Sequence, residues 1–113
     1  CVFTQGVDRM YLPVAHGEGK LVALPGLLAE VSIALRYIDE DGNNRARYPH
    51  NPNGSVDNIA GICDDSGRIF GLMPHPERHL RGTQHPQWTR LGSKKYGDGF
   101  QVFRNAVKWA RSL

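Results

Sequence analysis

The sequence predicts an α/β fold, rich in short strands over its first two thirds and closed by an amphipathic helix. Three observations carry that expectation. Clusters of apolar and β-branched residues recur at 1–4, 11–15, 31–38, 58–63 and 68–73, each bounded by Gly, Asp, Asn or Pro. One later stretch, 98–111, has the 3.6-residue period of a helix packed on one side. With 40% hydrophobic and 22% charged residues, and no apolar run long enough for a bilayer, the default is a soluble globular domain.

At 113 residues the chain has the size of one domain, able to bury a core without disulfides or metal. The net charge is +3, but the basic residues are scattered and form no run of five, which argues against nucleic-acid or anionic-membrane partners. Two cysteines, Cys1 and Cys63, make no disulfide framework, and no secretory leader is seen. A reducing, cytoplasmic setting is expected. The opening "CVFTQG" lacks Met and already has a β-branched register, which suggests a piece cut from something longer.

Of the predicted strands, 31–37 alternates as a strand with one wet face should, whereas "IAGIC" and "RIFGLM" are continuously apolar and suit strands covered on both sides. Between those two, "DDSG" supplies the side-chain hydrogen bonds and positive φ of a hairpin turn. "DEDGNN" (39–44) is a second turn, and "YPHNPNGS" (48–55) a longer loop without regular structure. Its "NPNGS" is either the edge of a site or an ordinary Asx turn. Residues 81–97 read as a polar, irregular connection. In the closing helix Asp98 is the expected N-cap, with Gln101 completing a capping box. Phe100, Phe103, Val107 and Ala110 form the stripe expected to dock on a sheet, and Lys108 and Arg111 complement the helix dipole.

The densest chemistry lies in "GLMPHPERHL" (71–80). His75 and Glu77 leave a predicted strand where α/β folds deliver side chains to the sheet rim. A residue before proline favours extended backbone, which would project side chains two apart to one side. Glu77 could then fix the tautomer of His75 and leave its other nitrogen to take a proton from a nucleophile. A polar turn leaving a strand explains the same residues. Zinc is rejected: Glu77 does not directly follow the first His as a helical metalloprotease motif requires, Pro76 disfavours a helix through His75, and no C-x-x-C follows. His79 is left without a role.

No convincing nucleophile accompanies this pair. Cys63 in "GICDD" lacks the second small residue of an elbow and is followed by a hairpin, so it reads as a buried strand residue. Cys1 could be an N-terminal nucleophile with its own α-amino group as base, but Val2 stands where such enzymes carry glycine. "VAHGEGK" (14–20) sets His16 and Glu18 between glycines that permit close backbone approach to a ligand. An exposed glycine-rich turn is the plainer reading.

Taken together, "PVAHGEGK", "RYPHNPNGSVDNIAGICDDSGRIFGLMPHPER" and "GDGFQVFRNAV" resemble the glutaminase component of phosphoribosylformylglycinamidine synthase, a class I, triad-type glutamine amidotransferase. The resemblance implies a flavodoxin-like α/β domain, of which 1–113 is the C-terminal half. It implies hydrolysis of glutamine to glutamate and ammonia through a thioester on a cysteine, with His75 as base and acid and Glu77 orienting it. His16, Gly17, Glu18 and Gly19 fall where the wider class contacts bound glutamine. The ammonia would pass to a synthetase component that makes formylglycinamidine ribonucleotide in purine biosynthesis. ATP and Mg would belong to that synthetase, with no cofactor or metal here.

The sequence departs from the family in lacking the G-x-C-N-G elbow that carries the nucleophile. The chain is therefore expected to be inactive alone, to pair with a missing N-terminal half and, in isolation, to self-associate through uncovered edges. The alternative is a non-catalytic interaction module that retains the amidotransferase fold.

Overall fold

The structure, a computed structural model, describes residues 1–15, 17, 19–24, 26–43, 45–92 and 94–113. It divides into two compact units. The first comprises Cys1 and 16–73, the second 2–15 and 74–113.

The first unit is built on an antiparallel sheet of β1 (Ser32–Arg36), β2 (Ile59–Cys63) and β3 (Phe70–Leu72), in the spatial order β1-β2-β3. β2 is the central strand, with Ile59, Ala60, Gly61 and Cys63 all buried, as its continuous apolar run predicts. β3 departs from that expectation. It is an edge strand with Gly71 exposed, and neighbouring Ile69 is 72% exposed. The "DDSG" hairpin forms as predicted: Asp64 N–H donates to the Ile69 carbonyl at 3.0 Å, and Gly67 adopts φ 72°.

β1 pairs Ser32 with Cys63 and Arg36 with Ile59, but two register shifts around Leu35 break the simple alternation expected of it. The ladder continues past β1 where Tyr37 N–H donates to the Asn58 carbonyl at 2.7 Å. Tyr37, Ala46 and Ala60 form the buried core, with Leu35 and Leu72 packed against it. Of the turn expected at 39–44, the described residues 39–43 close on Asp39, whose carboxylate accepts from the backbone of Asp41 and Asn43 at 3.0 and 2.8 Å.

The second unit is helical. Residues 1–4 do not form the predicted strand: Val2–Thr4 is a 3-10 turn, because Asn105 donates to the carbonyls of Phe3 and Gln5 at 2.9 Å each and holds them in a bend. Residues 11–15 also form no strand. Both backbone groups of Tyr11 are engaged by side chains, its N–H by Asp98 at 2.8 Å and its carbonyl by His79 at 2.6 Å, so neither is available to a ladder. The stretch 81–97 contains a 3-10 turn, Gly82–Gln84, and one α-helical turn, α1 (Trp88–Leu91).

The closing helix α2 (Phe100–Arg111) is present, with Lys108 and Arg111 in its last turn. Two expectations about it fail. Gly99, not Asp98, is the N-cap, since the Asp98 carboxylate serves Tyr11. The buried face carries Val102 and Asn105, whereas Phe103 and Val107 are 43% and 51% exposed and Ala110 is also exposed. The anchoring of Asn105 on residues 3–5 turns the apolar stripe outward, and only Phe100 is covered, by stacking on Tyr96 at 4.2 Å.

Candidate active site

The sequence around His75 makes a strand exit. Met73 N–H donates to the Ala60 carbonyl at 3.0 Å, the last rung of the sheet, and Pro74 is buried. His75 remains extended (φ −76°, ψ 116°), as its position before proline requires, and N-caps the 3-10 turn Pro76–His79. The extended run therefore ends at His75. The expectation that strand alternation carries Glu77 to its side is replaced by a turn in which proline's fixed φ starts the helix. His75 and Glu77 are both exposed at the head of this turn, and Arg78 N–H closes it on the His75 carbonyl at 3.1 Å.

Three features hold the turn in place. Gln84 accepts from the backbone N–H of Leu80 and Arg81 at 2.7 and 2.8 Å, fixing the exit of the turn. Gly99 N–H donates to the His79 carbonyl at 3.0 Å, and Gly97 N–H to that of Leu80 at 2.8 Å. A Cβ at Gly99 would collide with the Pro76 carbonyl, and one at Gly97 with the His79 ring. Both glycines of "GDG" are thus needed for the start of α2 to approach the histidine turn, a packing requirement rather than the capping pattern the sequence suggests.

His79 is no bystander. It is 3% exposed, and its Nδ1 lies 2.6 Å from the Tyr11 carbonyl and 3.3 Å from the Asp98 N–H; the much shorter contact, to a group that can only accept, assigns the proton to Nδ1. Tyr11 in turn lies against His85, ring centroids 4.2 Å apart. Sequence reasoning missed Gln84, Gly97, Gly99 and the role of His79; only the short spacing of "GDG" hinted at a close approach.

Of the second candidate stretch, His16 and Glu18 lie outside the described residues. Gly17 is exposed, and the Gly19 carbonyl accepts from Asn53 at 2.8 Å. Asn53 belongs to "NPNGS", which organises itself around buried Asn51. Asn51 donates to the Ser55 carbonyl and the Asn58 side chain at 3.1 and 2.7 Å, and accepts from Ser55 N–H at 3.0 Å. Asp57 and Asn58 adopt positive φ there, a conformation Asp and Asn tolerate best. This is the Asx-turn alternative, extended so that Asn53 and Ser55 also hold residues 19–21 in the first unit. Of the two cysteines, Cys63 is buried within β2 and Cys1 is exposed.

A family model described as CobB/CobQ-like glutamine amidotransferase domain matches residues 1–110. The chain belongs to this amidotransferase family. Phosphoribosylformylglycinamidine synthase subunit PurQ of Dehalococcoides mccartyi is 58% identical over 113 residues, taking in 100% of this chain and 44% of the relative. PurQ of Archaeoglobus fulgidus is 43% identical over 124 aligned residues, again 100% of this chain and 43% of the relative. A solved structure, of PurLQS from Thermotoga maritima, is 31% identical with a TM-score of 0.57, across 88% of this chain and 35% of that one. The amidotransferase chain thus spans less than half the length of these relatives. Its α/β sheet-and-helix architecture is that of part of such a domain. No described helix is long and apolar enough to cross a membrane.

Proposed function

We propose that this chain is the base-bearing portion of a glutaminase that hydrolyses glutamine to glutamate and ammonia. A synthetase component would use the ammonia to convert formylglycinamide ribonucleotide to its amidine in purine biosynthesis, with ATP and Mg bound on the synthetase. The observation that carries the reading is 58% identity to a PurQ over all 113 residues, together with His75 and Glu77 presented at an exposed strand exit.

In this reading the His75 imidazole takes the proton of a cysteine thiol, and the thiolate attacks the glutamine side-chain carbonyl. As the C–N bond breaks, His75 returns the proton to the leaving nitrogen, releasing ammonia and leaving a γ-glutamyl thioester. Water then attacks the thioester with His75 as base, the C–S bond breaks, and the thiol recovers its proton as glutamate leaves. Glu77 is assigned to orient the ring and stabilise its protonated form, from within the Pro76–His79 turn and not along an extended strand. Cys63, 3% exposed inside β2, is poorly placed for attack, and exposed Cys1 is followed by Val2 where an N-terminal nucleophile would carry glycine, so the thiol is assigned to polypeptide outside these residues and the isolated chain to inactivity. His16, Gly17, Glu18 and Gly19 are assigned to the glutamine side of the site.

The test is ammonia release from glutamine by the polypeptide that includes the coding sequence upstream of Cys1. His75→Ala should lower kcat by roughly 10³-fold or more, the scale of losing a triad base, and Glu77→Ala by less. Near-normal turnover in the His75 variant would refute the assignment. So would glutamine hydrolysis by the isolated 113-residue chain.

A further inference from the structure

Charge is divided unevenly between the two units. The first holds five Lys and Arg against eight Asp and Glu; the second holds nine against three, a net +6 on the unit that carries His75. All nine of those cations are exposed. The described residues contain a single salt bridge, Arg36 to Asp57, and it lies in the first unit. Nine exposed cations with no carboxylate partner among the described residues repel one another and gain when an acidic surface approaches.

Three of them, Arg81, Lys94 and Lys95, line a cleft of about 530 Å³ together with Leu80, Tyr96 and Phe100. The cleft is set by backbone, not by chance side-chain positions. Arg81 and Tyr96 form an isolated antiparallel bridge, and Gly82 lies so close to the Lys94 carbonyl that any Cβ there would collide with it. The apolar part of its lining, Leu80, Tyr96 and Phe100, calls for an apolar anchor from the partner, with acidic groups for the three cations. A nucleobase is a poor candidate. The Tyr96 ring already stacks on Phe100 at an interplanar angle of 9°, and the Lys95 ammonium lies over it, 5.2 Å from its centroid, so a base could stack face-on only by displacing one of them, whereas an aliphatic side chain needs only an accessible edge of the 46%-exposed Tyr96.

We propose that this cleft receives an acidic patch of the synthetase component, with one apolar side chain seated on Leu80, Tyr96 and Phe100 and carboxylates facing Arg81, Lys94 and Lys95. The inference rests on the glutaminase reading above, and position supports it. Leu80 and Arg81 directly follow the turn that carries Glu77, and Gln84 ties the two turns together. Ammonia released into bulk water at neutral pH becomes ammonium and loses its nucleophilic lone pair. A partner that consumes ammonia must therefore seal against the protein close to where it is released.

The experiment measures binding of the amidotransferase component, with its full coding sequence, to the purified synthetase component. The variants are a triple charge reversal, Arg81→Glu with Lys94→Glu and Lys95→Glu, and the anchor-site change Leu80→Ser. The reversal should weaken binding about tenfold or more and reduce its salt dependence, and Leu80→Ser should weaken it several-fold at any salt concentration. Lys108→Glu with Arg111→Glu, at the far end of α2, should stay within about threefold. Synthetase turnover with added ammonium chloride should be unchanged throughout.

If the unaltered proteins do not bind each other, this inference and the glutaminase–synthetase reading fall together. Binding that survives the triple reversal within twofold overturns this inference alone, as does an equal loss in the Lys108/Arg111 control. A matching fall in the thermal midpoint of the amidotransferase component would show that its own polypeptide covers the cleft, again overturning it. Tight binding of single-stranded DNA or phosphatidylserine vesicles that the reversal abolishes, with synthetase binding intact, would reassign the cleft to polyanions.

Discussion

Buried Asn51 in the first unit finds all its partners nearby in sequence, whereas the second unit is closed by partners far away. Asn51 bonds to residues four and seven positions on. In the second unit Asn105 reaches back 102 and 100 residues to Phe3 and Gln5, Asp98 reaches 87 to Tyr11, and His79 reaches 68. Each such bond closes a loop that passes through the whole of the first unit, so it must offset loop-closure entropy that the Asn51 network never meets. The local network suits a rigid scaffold under β2. The long-range clamps make the histidine turn depend on segments from both ends of the chain.

The largest expected effect concerns which unit carries the uncovered surface. We predict that the isolated 113-residue chain self-associates. Both units offer apolar surface for this: Val22, Leu24 and Ile69 are 74%, 72% and 72% exposed in the first, Phe103, Val107 and Leu113 are 43%, 51% and 86% exposed in the second. β1 and β3 are also sheet edges among the described residues. Light scattering at micromolar concentration should give at least a dimer. Val107→Lys and Ile69→Lys then assign the contact to one unit, and a clean monomer in the unsubstituted chain would refute the prediction.

Next in size is Asn51→Ala, which strips partners from the Ser55 backbone and the Asn58 side chain inside a buried loop. It should destabilise the fold by about 2–4 kcal/mol, the cost of several unsatisfied buried groups, and lower the thermal midpoint by roughly 10 °C or more. A shift of only a degree or two would mean that the network is not what holds residues 51–58.

Asn105→Ala should act differently. It removes two donors from the Phe3 and Gln5 carbonyls, costing about 1–2 kcal/mol, but although Asn105 is buried, Phe3 is half-buried and Gln5 exposed, so water can replace them there. The expected signature is faster amide hydrogen exchange in residues 2–7, with β2 protection unchanged. Loss of protection in β2 would show that the two units do not respond separately.

The same division explains how much of this molecule could be read from its sequence. β2, the "DDSG" hairpin, the turn on Asp39 and the body of α2 all follow from period and turn chemistry within a dozen residues, and they appear as expected. Of the misread elements, 1–4, 11–15, the Asp98 cap and the outward stripe of α2 are decided by the bonds of Asn105, Asp98 and His79 to distant backbone, whereas the exposed edge at β3 and the register shifts of β1 depend on strand pairing that no local period encodes. Nothing near Phe3 in sequence marks its carbonyl as an acceptor for residue 105. The site divides likewise. His75 and Glu77 stand out by composition and context, while Gln84, Gly97 and Gly99 matter only because two turns and a helix start converge.

The smallest effect is a pH dependence that should belong to the first unit at both ends of the scale. The Asp64 carboxylate accepts first from the Ser66 hydroxyl, then from the Ile69 N–H and further amides of the hairpin turn, and these hold its pKa at about 2 against an ordinary 3.8. The folded form thus favours the ionised group. The stability this contributes is complete above the unfolded value near 3.8 and disappears as pH falls through about 2. Tyr37 has the opposite sign: burial raises its pKa above 10.0, so the neutral phenol is favoured by folding and its contribution is lost as pH climbs past that value. Asp64→Asn should flatten the acid limb of a thermal midpoint–pH curve and leave the alkaline limb alone; Tyr37→Phe should do the reverse. If Asp64→Asn leaves the acid limb as steep as before, the hairpin carboxylate is not what sets it, and attention moves to other carboxylates of the acidic unit.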